Sequence, residues 1–156
     1  MPVVIRPAEP TDAPALAEVF IAARAVALPY LPNLHSDEET RGFIAGIVMV
    51  NCLVWVAEDV CGEVVGFAAL EGGWLDHLYL RPDVRRQGIG TLLLDQVRRA
   101  APEGLRLYVF ARNTAARAFY EKHGFVVVAE GDGSGNEENE PDLTMQWRPA
   151  PPGRPR

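Results

Sequence analysis

The segment Arg85-Arg86-Gln87-Gly88-Ile89-Gly90 stands between a run that reads as a strand, Trp74 to Leu80, and one that reads as a helix. Its composition suits a phosphate. Glycines let the backbone come close to a ligand, and the first N–H groups of the following helix point outward as donors to an anion. Two other phosphate loops are excluded. A GxGxxG pattern would need glycine where Leu93 stands, and a Walker loop needs Gly-Lys-Ser/Thr, whereas the only lysine, Lys122, precedes His123. A second block follows at Asn113 to Phe125. Asn113 and Tyr120 are seven residues apart in it, about two helical turns, and so share one helix face.

These two blocks together resemble the GCN5-related N-acetyltransferase (GNAT) family. Arg85, Gly88 and Gly90 match its R/Q-x-x-G-x-G/A signature after a strand ending Leu78-Tyr79-Leu80-Arg81-Pro82. Asn113-Thr-Ala-Ala-Arg117-Ala-Phe-Tyr120-Glu-Lys-His-Gly124-Phe125 is similar to the family's N-x-x-A-x-x-x-Y-x-x-x-G-F element, and the likeness spans Val3 to Trp147. The resemblance implies an acetyl-CoA-dependent N-acetyltransferase that moves the acetyl group by direct attack of a primary amine, on a small molecule or a peptide, with no metal. It also implies roles for individual residues. The backbone of Arg85, Arg86, Gln87, Gly88, Ile89, Gly90 and Thr91 would cradle the pyrophosphate, with charge from both arginines and a hydroxyl from Thr91. The main chain of Leu78, Tyr79 and Leu80 would run beside the pantetheine arm and offer an N–H to the thioester carbonyl, and Asn113 would touch the arm. Tyr120 would be the general acid, because a phenol with ordinary pKa about 10 can protonate a thiolate whose acid has pKa near 8.5.

An acceptor that arrives as an ammonium must lose a proton before it attacks, so a base or a water relay is expected. Glu58, Glu71, Asp76 and His77 are candidates. Asp76 is preferred and Glu71 comes next, because Asp76 adjoins the oxyanion strand. Strict alternation would send Asp76 and His77 to opposite faces unless a bulge intervenes. A non-catalytic acyl-CoA-binding or sensing module is the competing reading.

The elements that must position these groups follow from periodicity. Val3 to Arg6 reads as a strand, and a helix capped by Thr11 or Asp12 carries Leu16, Val19, Phe20 and Ala23 inward. Ser36 with Glu39 has capping-box spacing and opens a second helix over Phe43, Ile44 and Ile47. Leu53 to Glu58 and Val64 to Leu70 read as a hairpin. Beyond the glycine loop, Ile89, Leu92, Leu93, Val97 and Ala100 line one face of a third helix. Leu105 to Ala111 is a strand, and a fourth helix follows, with Ala115, Ala118 and Phe119 inward and Gly124 ending it left-handed. Phe125 to Ala129 and Leu143 to Trp147 are the last strands. The expected fold is α/β (α+β): a mixed central sheet of about six to seven strands flanked by about four helices, GNAT-like.

With 156 residues, 48% hydrophobic and 23% charged, the chain suits one domain, expected over residues 1–148, with a flexible tail at 149–156. The net charge of −6 resides in Glu130, Asp132, Glu137, Glu138, Glu140 and Asp142, whereas Arg81 to Lys122 holds nine bases against four acids. A basic segment in an acidic protein suits a compact anionic ligand and argues against nucleic acid. The acidic loop reads either as a lure for a cationic amine or as a solvated segment. No apolar stretch is long enough for a membrane span and no secretory signal is recognisable, so the expected location is cytoplasmic. Cys52 and Cys61 read as free thiols without metal-ligand company. An edge strand at the C-terminal end is compatible with a homodimer.

Overall fold

The computed structural model describes residues 2–150; residues 151–156, most of the expected tail, lie outside the described residues. The elements run β1 (Val3–Pro7), α1 (Ala13–Ala27), α2 (Asp37–Phe43), a π turn (Ile44–Val48), α3 (Met49–Asn51), β2 (Leu53–Asp59), β3 (Val64–Glu71), β4 (Trp74–Leu80), α4 (Ile89–Ala100), β5 (Leu105–Phe110), α5 (Thr114–Lys122), β6 (Val126–Gly131) and β7 (Asp142–Trp147). The seven strands form one sheet in the order β1-β2-β3-β4-β5-β7-β6. Every neighbouring pair is antiparallel except β4 with β5. The expected α/β class and the order of elements are therefore borne out.

Both faces of the central strands are buried, which explains the near-continuous apolar run of β3. Phe67 and Ala69 point to one side and pack with Leu16, Val19, Ile44 and Val48 under α1 and the π turn. Val65, Ala68 and Leu70 point to the other and join Ile89, Leu93, Leu94 and Val97 of α4. The same second cluster takes in Leu105, Leu107 and Val109 of β5 and Leu143 and Met145 of β7.

Several expected faces are rotated. In α4, Leu92 is 45% exposed and Leu94 is buried, so the stripe is Ile89, Leu93, Leu94 and Val97. In α5 the inward residues are Ala116, Tyr120 and, as expected, Phe119, while Ala115 and Ala118 are exposed. The second helix buries Ile44 and Val48 and exposes Phe43 and Ile47, because its middle is a π turn that includes Gly46 and shifts the register of the stripe. Ser36 and Glu39 do form the capping box, with the Glu39 N–H donating to Ser36 Oγ at 3.0 Å.

Asp12 does not cap α1. Its carboxylate accepts from the Arg6 guanidinium at 2.8 and 3.0 Å and from the Glu9 N–H at 2.7 Å, closing a 3-10 turn over Pro10–Asp12. Arg6 also pairs with Glu58 of β2, so one guanidinium ties β1, β2 and the start of α1 together. This contact removes Glu58 from the candidate bases. The hydrogen bonds from Arg6 hold Asp12 below the usual carboxylate range against the opposing effect of burial. A depressed folded-state pKa means that this stabilisation is present above the unfolded value near 3.8 and is lost as pH falls below it. Arg6→Ala is expected to cost about 2 kcal/mol in chemical denaturation at pH 7, with the difference from the parent shrinking at pH 3.

Candidate active site

β4 and β5 are the one parallel pair, and their register holds a single couple, Trp74 with Arg106. Beyond it the strands part. The main chain of Leu78, Tyr79 and Leu80 is thereby left without a strand on the β5 side, and a cavity of about 790 Å³ opens there. On its other side β4 remains paired to β3, with Tyr79 opposite Phe67 and Leu80 opposite Gly66.

The β3–β4 register also shifts: Ala69 faces His77 while Leu70 faces Leu75, which leaves Asp76 as the extra residue of a β-bulge. The bulge overrides strict alternation. His77 accordingly points to the α1 side, where its ring meets Phe20 at 5.8 Å, Phe43 at 5.9 Å and Tyr79 at 6.0 Å. Burial lowers the His77 pKa to about 4, so the ring is neutral at ordinary pH, and its buried Nδ1 has no hydrogen-bond partner.

The glycine loop turns through two left-handed residues, Arg86 at φ 66° and Gly88 at φ 81°, and feeds α4. Leu92 donates the first helical bond to the Gly88 carbonyl, so the N–H groups of Ile89, Gly90 and Thr91 have no helical acceptor. Gly90 serves packing as well, since a Cβ there would meet the Phe119 ring at 3.4 Å. Asn113 caps α5 by accepting from the Ala116 N–H at 3.2 Å. Gly124 ends that helix at φ 89°, as expected.

Seven of the expected cofactor-contacting residues line the one cavity: Leu78, Tyr79, Leu80, Arg85, Gly90, Asn113 and Tyr120. Asp76 lines it too. Arg86, Gln87, Gly88, Ile89 and Thr91 do not line its wall; they sit in the loop and the first turn of α4 at its end, and the Ile89 side chain is buried in the core. The Thr91 hydroxyl lies 3.2 Å from His123 Nε2, a contact that competes with its expected role toward a phosphate. Tyr120 is buried, and desolvation followed by the charge of Tyr79 raises its pKa, which keeps the phenol protonated as a donor.

Glu71 and Asp76 come together with Cys52, their ligand-type atoms lying within 4.8 Å of one another. This corrects the expectation that neither cysteine has such company; the pattern has no sequence signature because the three residues come from separate elements. Burial, followed by the hydrogen bond and charge of Glu71, pushes Asp76 up to about 6. Desolvation and the same two acids push Cys52 up to about 11, so it is a neutral thiol. Both cysteines are free.

A second cavity of about 800 Å³ lies between α1, the start of α2 and the acidic loop, and it shares Leu28 and His77 with the first. The acidic loop is docked rather than free. Glu138 accepts from Arg24 at 3.4 Å, Glu137 meets His35 Nε2 at 2.8 Å, and Glu140 accepts from Arg112 at 2.5 Å. Glu137, Glu138 and Glu140 thus pin the loop as a wall, while Glu130, Asp132 and Asp142 lie in no ion pair among the described residues and line the first cavity. Pairs separated by 102 to 114 residues leave no local signal by which sequence could have found them.

The family model for the acetyltransferase (GNAT) domain matches residues 50–127, half of the chain. The protein belongs to the GNAT acetyltransferase family. It is 43% identical over 79 residues to the peptidyl-lysine N-acetyltransferase YjaB of Salmonella typhimurium, a match covering 51% of this chain and 54% of YjaB. With the peptidyl-lysine N-acetyltransferase YiaC of Escherichia coli it shares 27% identity over 146 residues, covering 92% of this chain and 96% of YiaC. The chain thus spans about half the length of the YjaB relatives it matches and nearly all of YiaC. Among solved structures, apo YjaB from Escherichia coli superposes with a TM-score of 0.80 at 26% identity, covering 94% of this chain and 98% of that one. The PaiA N-acetyltransferase of Thermoplasma acidophilum, solved with coenzyme A, superposes at 0.72 with 22% identity over 95% and 99% of the two chains, a likeness of fold.

Gly88 has open space where a Cβ would project, so its requirement is conformational. Gly88→Ala is expected to cost about 1 kcal/mol in denaturant melts, from the left-handed backbone alone, with little change in the m-value.

Proposed function

We propose that this protein is an acetyl-CoA-dependent N-acetyltransferase acting on a primary amine, with the lysine side chain of a peptide as its acceptor. The observation that carries this reading is the cleft at the β4–β5 separation, which gathers an open strand edge, a glycine-rich helix start and a buried phenol around one space. The names of YjaB and YiaC as peptidyl-lysine acetyltransferases support the acceptor class. The free thiols are in keeping with a reducing, cytoplasmic setting.

The residues present fit acetyl-CoA. The unpaired main chain of Leu78 to Leu80 takes the amide-bearing arm as an added strand, and the Arg85–Thr91 segment, with its free N–H groups and two guanidiniums, holds the pyrophosphate. When bound, the thioester supplies the acetyl group and a thiolate leaving group. Asn113 steadies the arm at the mouth of the separation. A β4 N–H next to the bulge donates to the thioester carbonyl oxygen as negative charge builds there. Asp76, ionised above about pH 6, accepts the ammonium proton through water and so frees the nitrogen lone pair. As the C–N bond forms and the C–S bond breaks, Tyr120 gives its proton to the departing sulfur, the nitrogen passes its second proton to water, and the phenolate regains a proton from water.

Calorimetry is expected to give saturable acetyl-CoA binding, tighter than ATP binding. Tyr120→Phe is expected to lower kcat about 100-fold while changing CoA affinity by less than about threefold. Unchanged turnover would remove the acid role. Because Asp76 is protonated below about 6, kcat/KM is expected to fall on the acid side of that value. Asp76→Asn is expected to lower activity and abolish this acid limb. Binding of acetyl-CoA with no thiol release against any lysine peptide or small amine would leave a sensing module in place of an enzyme.

A further inference from the structure

The sheet is covered unevenly. On the side that carries α1, helices pack over β2, β3 and β4, while β5, β7 and β6 present Tyr108, Thr144 and Ala129 without a helix above them. Tyr108 is 67% exposed. Its ring stacks face to face on Trp74 at 4.7 Å and 24°, an aromatic shelf whose outer face is open at the point where β4 and β5 part.

Glu71 is the register partner of Trp74 across the β3–β4 pair, so their side chains stand next to each other on the same face. Asp76 adjoins Glu71. Among the described residues neither acid lies in an ion pair, whereas Glu137, Glu138 and Glu140 of the docked loop and both acids of the Arg6 cluster do. The base on the far side of the shelf, Arg106, is the register partner of Trp74 and turns its Nε to Gln146 Oε1 at 3.1 Å. Glu71 and Asp76 therefore stand without an ion-pair partner beside the aromatic pair, whose Tyr108 lines the same cavity as Asp76.

We infer that the Trp74–Tyr108 shelf and Glu71 form a subsite for a basic residue, arginine or lysine, flanking the acceptor lysine of a peptide. The inference rests on the peptide-lysine reading above. A guanidinium lying flat on the outer face of the stacked pair gains a cation–π contact, and its edge N–H groups face the Glu71 carboxylate. A positive charge placed there also offsets the charge of Glu71, which adds to burial and the Glu71 hydrogen bond in raising Asp76. The site selects substrates by charge: an acidic flank meets two carboxylates and is rejected.

The test uses the full chain loaded with CoA, so that peptide affinity is read without turnover. Two peptides with one lysine each are matched except for arginine or glutamate at the flanking positions. The arginine peptide is expected to bind about tenfold tighter, with the advantage lost as salt rises. Tyr108→Ala, at a solvent-facing strand position, and the isosteric Glu71→Gln are each expected to reduce that ratio to within about threefold. With acetyl-CoA, the same preference is expected in KM and not in kcat. Equal affinities, a preference for glutamate, or a ratio untouched by both variants would overturn the subsite. Stoichiometric zinc binding that needs Cys52 and blocks both peptides equally would overturn it as well, and would give the cluster to a metal. An arginine preference without acetyl transfer would leave the subsite standing and remove the proposed reaction; transfer without the preference would do the reverse.

Discussion

The separation of β4 from β5 after one register couple is the constraint on which the rest of this molecule turns. Five of the six neighbouring pairs are antiparallel, but the parallel pair requires a crossover, and here α4 supplies it. Placing α4 between the two strands in sequence sets its first turn at the mouth of the gap, and α5, which follows β5, carries Tyr120 beneath it. Strand edge, helix start and phenol are thus delivered by one topological step. Backbone groups that a closed sheet would satisfy internally remain available to a ligand in the gap.

Much of this was legible in the sequence because it is local. Turn glycines, the Ser36–Glu39 box and the Asn113 cap act within a few residues, and the element order followed from them and from apolar spacing. The faces of helices were less legible. Leu92 and Leu94 are equally apolar, and only the packing of α4 against β3 and β4 decides which is buried. The π turn at Ile44–Val48 likewise answers to packing under α1, which no propensity encodes.

The site itself divides in the same way. Residues of the two motif blocks converge because each block is short and begins or ends at a turn. Asp76 was singled out, but its partners Glu71 and Cys52 come from other strands and helices, and its position depends on a bulge whose place is set by pairing with β3. His77 reads in sequence as one candidate base among four. In the fold it is a neutral ring among aromatics that lines both cavities, a placement that depends on the same bulge.

The docked acidic loop bears on how the chain reaches this arrangement. Each of its ties to the α1 end, Arg24 to Glu138 and His35 to Glu137, spans more than a hundred residues. Closing such long segments costs the most chain entropy and gains little until the sheet between them exists. The wall between the two cavities is therefore held by the longest chain closures described for the site. The cofactor side takes β4, α4, β5 and α5 from one contiguous stretch, so its helix start and phenol are set by far shorter closures, and loosening the acidic wall would open the acceptor side while leaving the acyl-donor side in place.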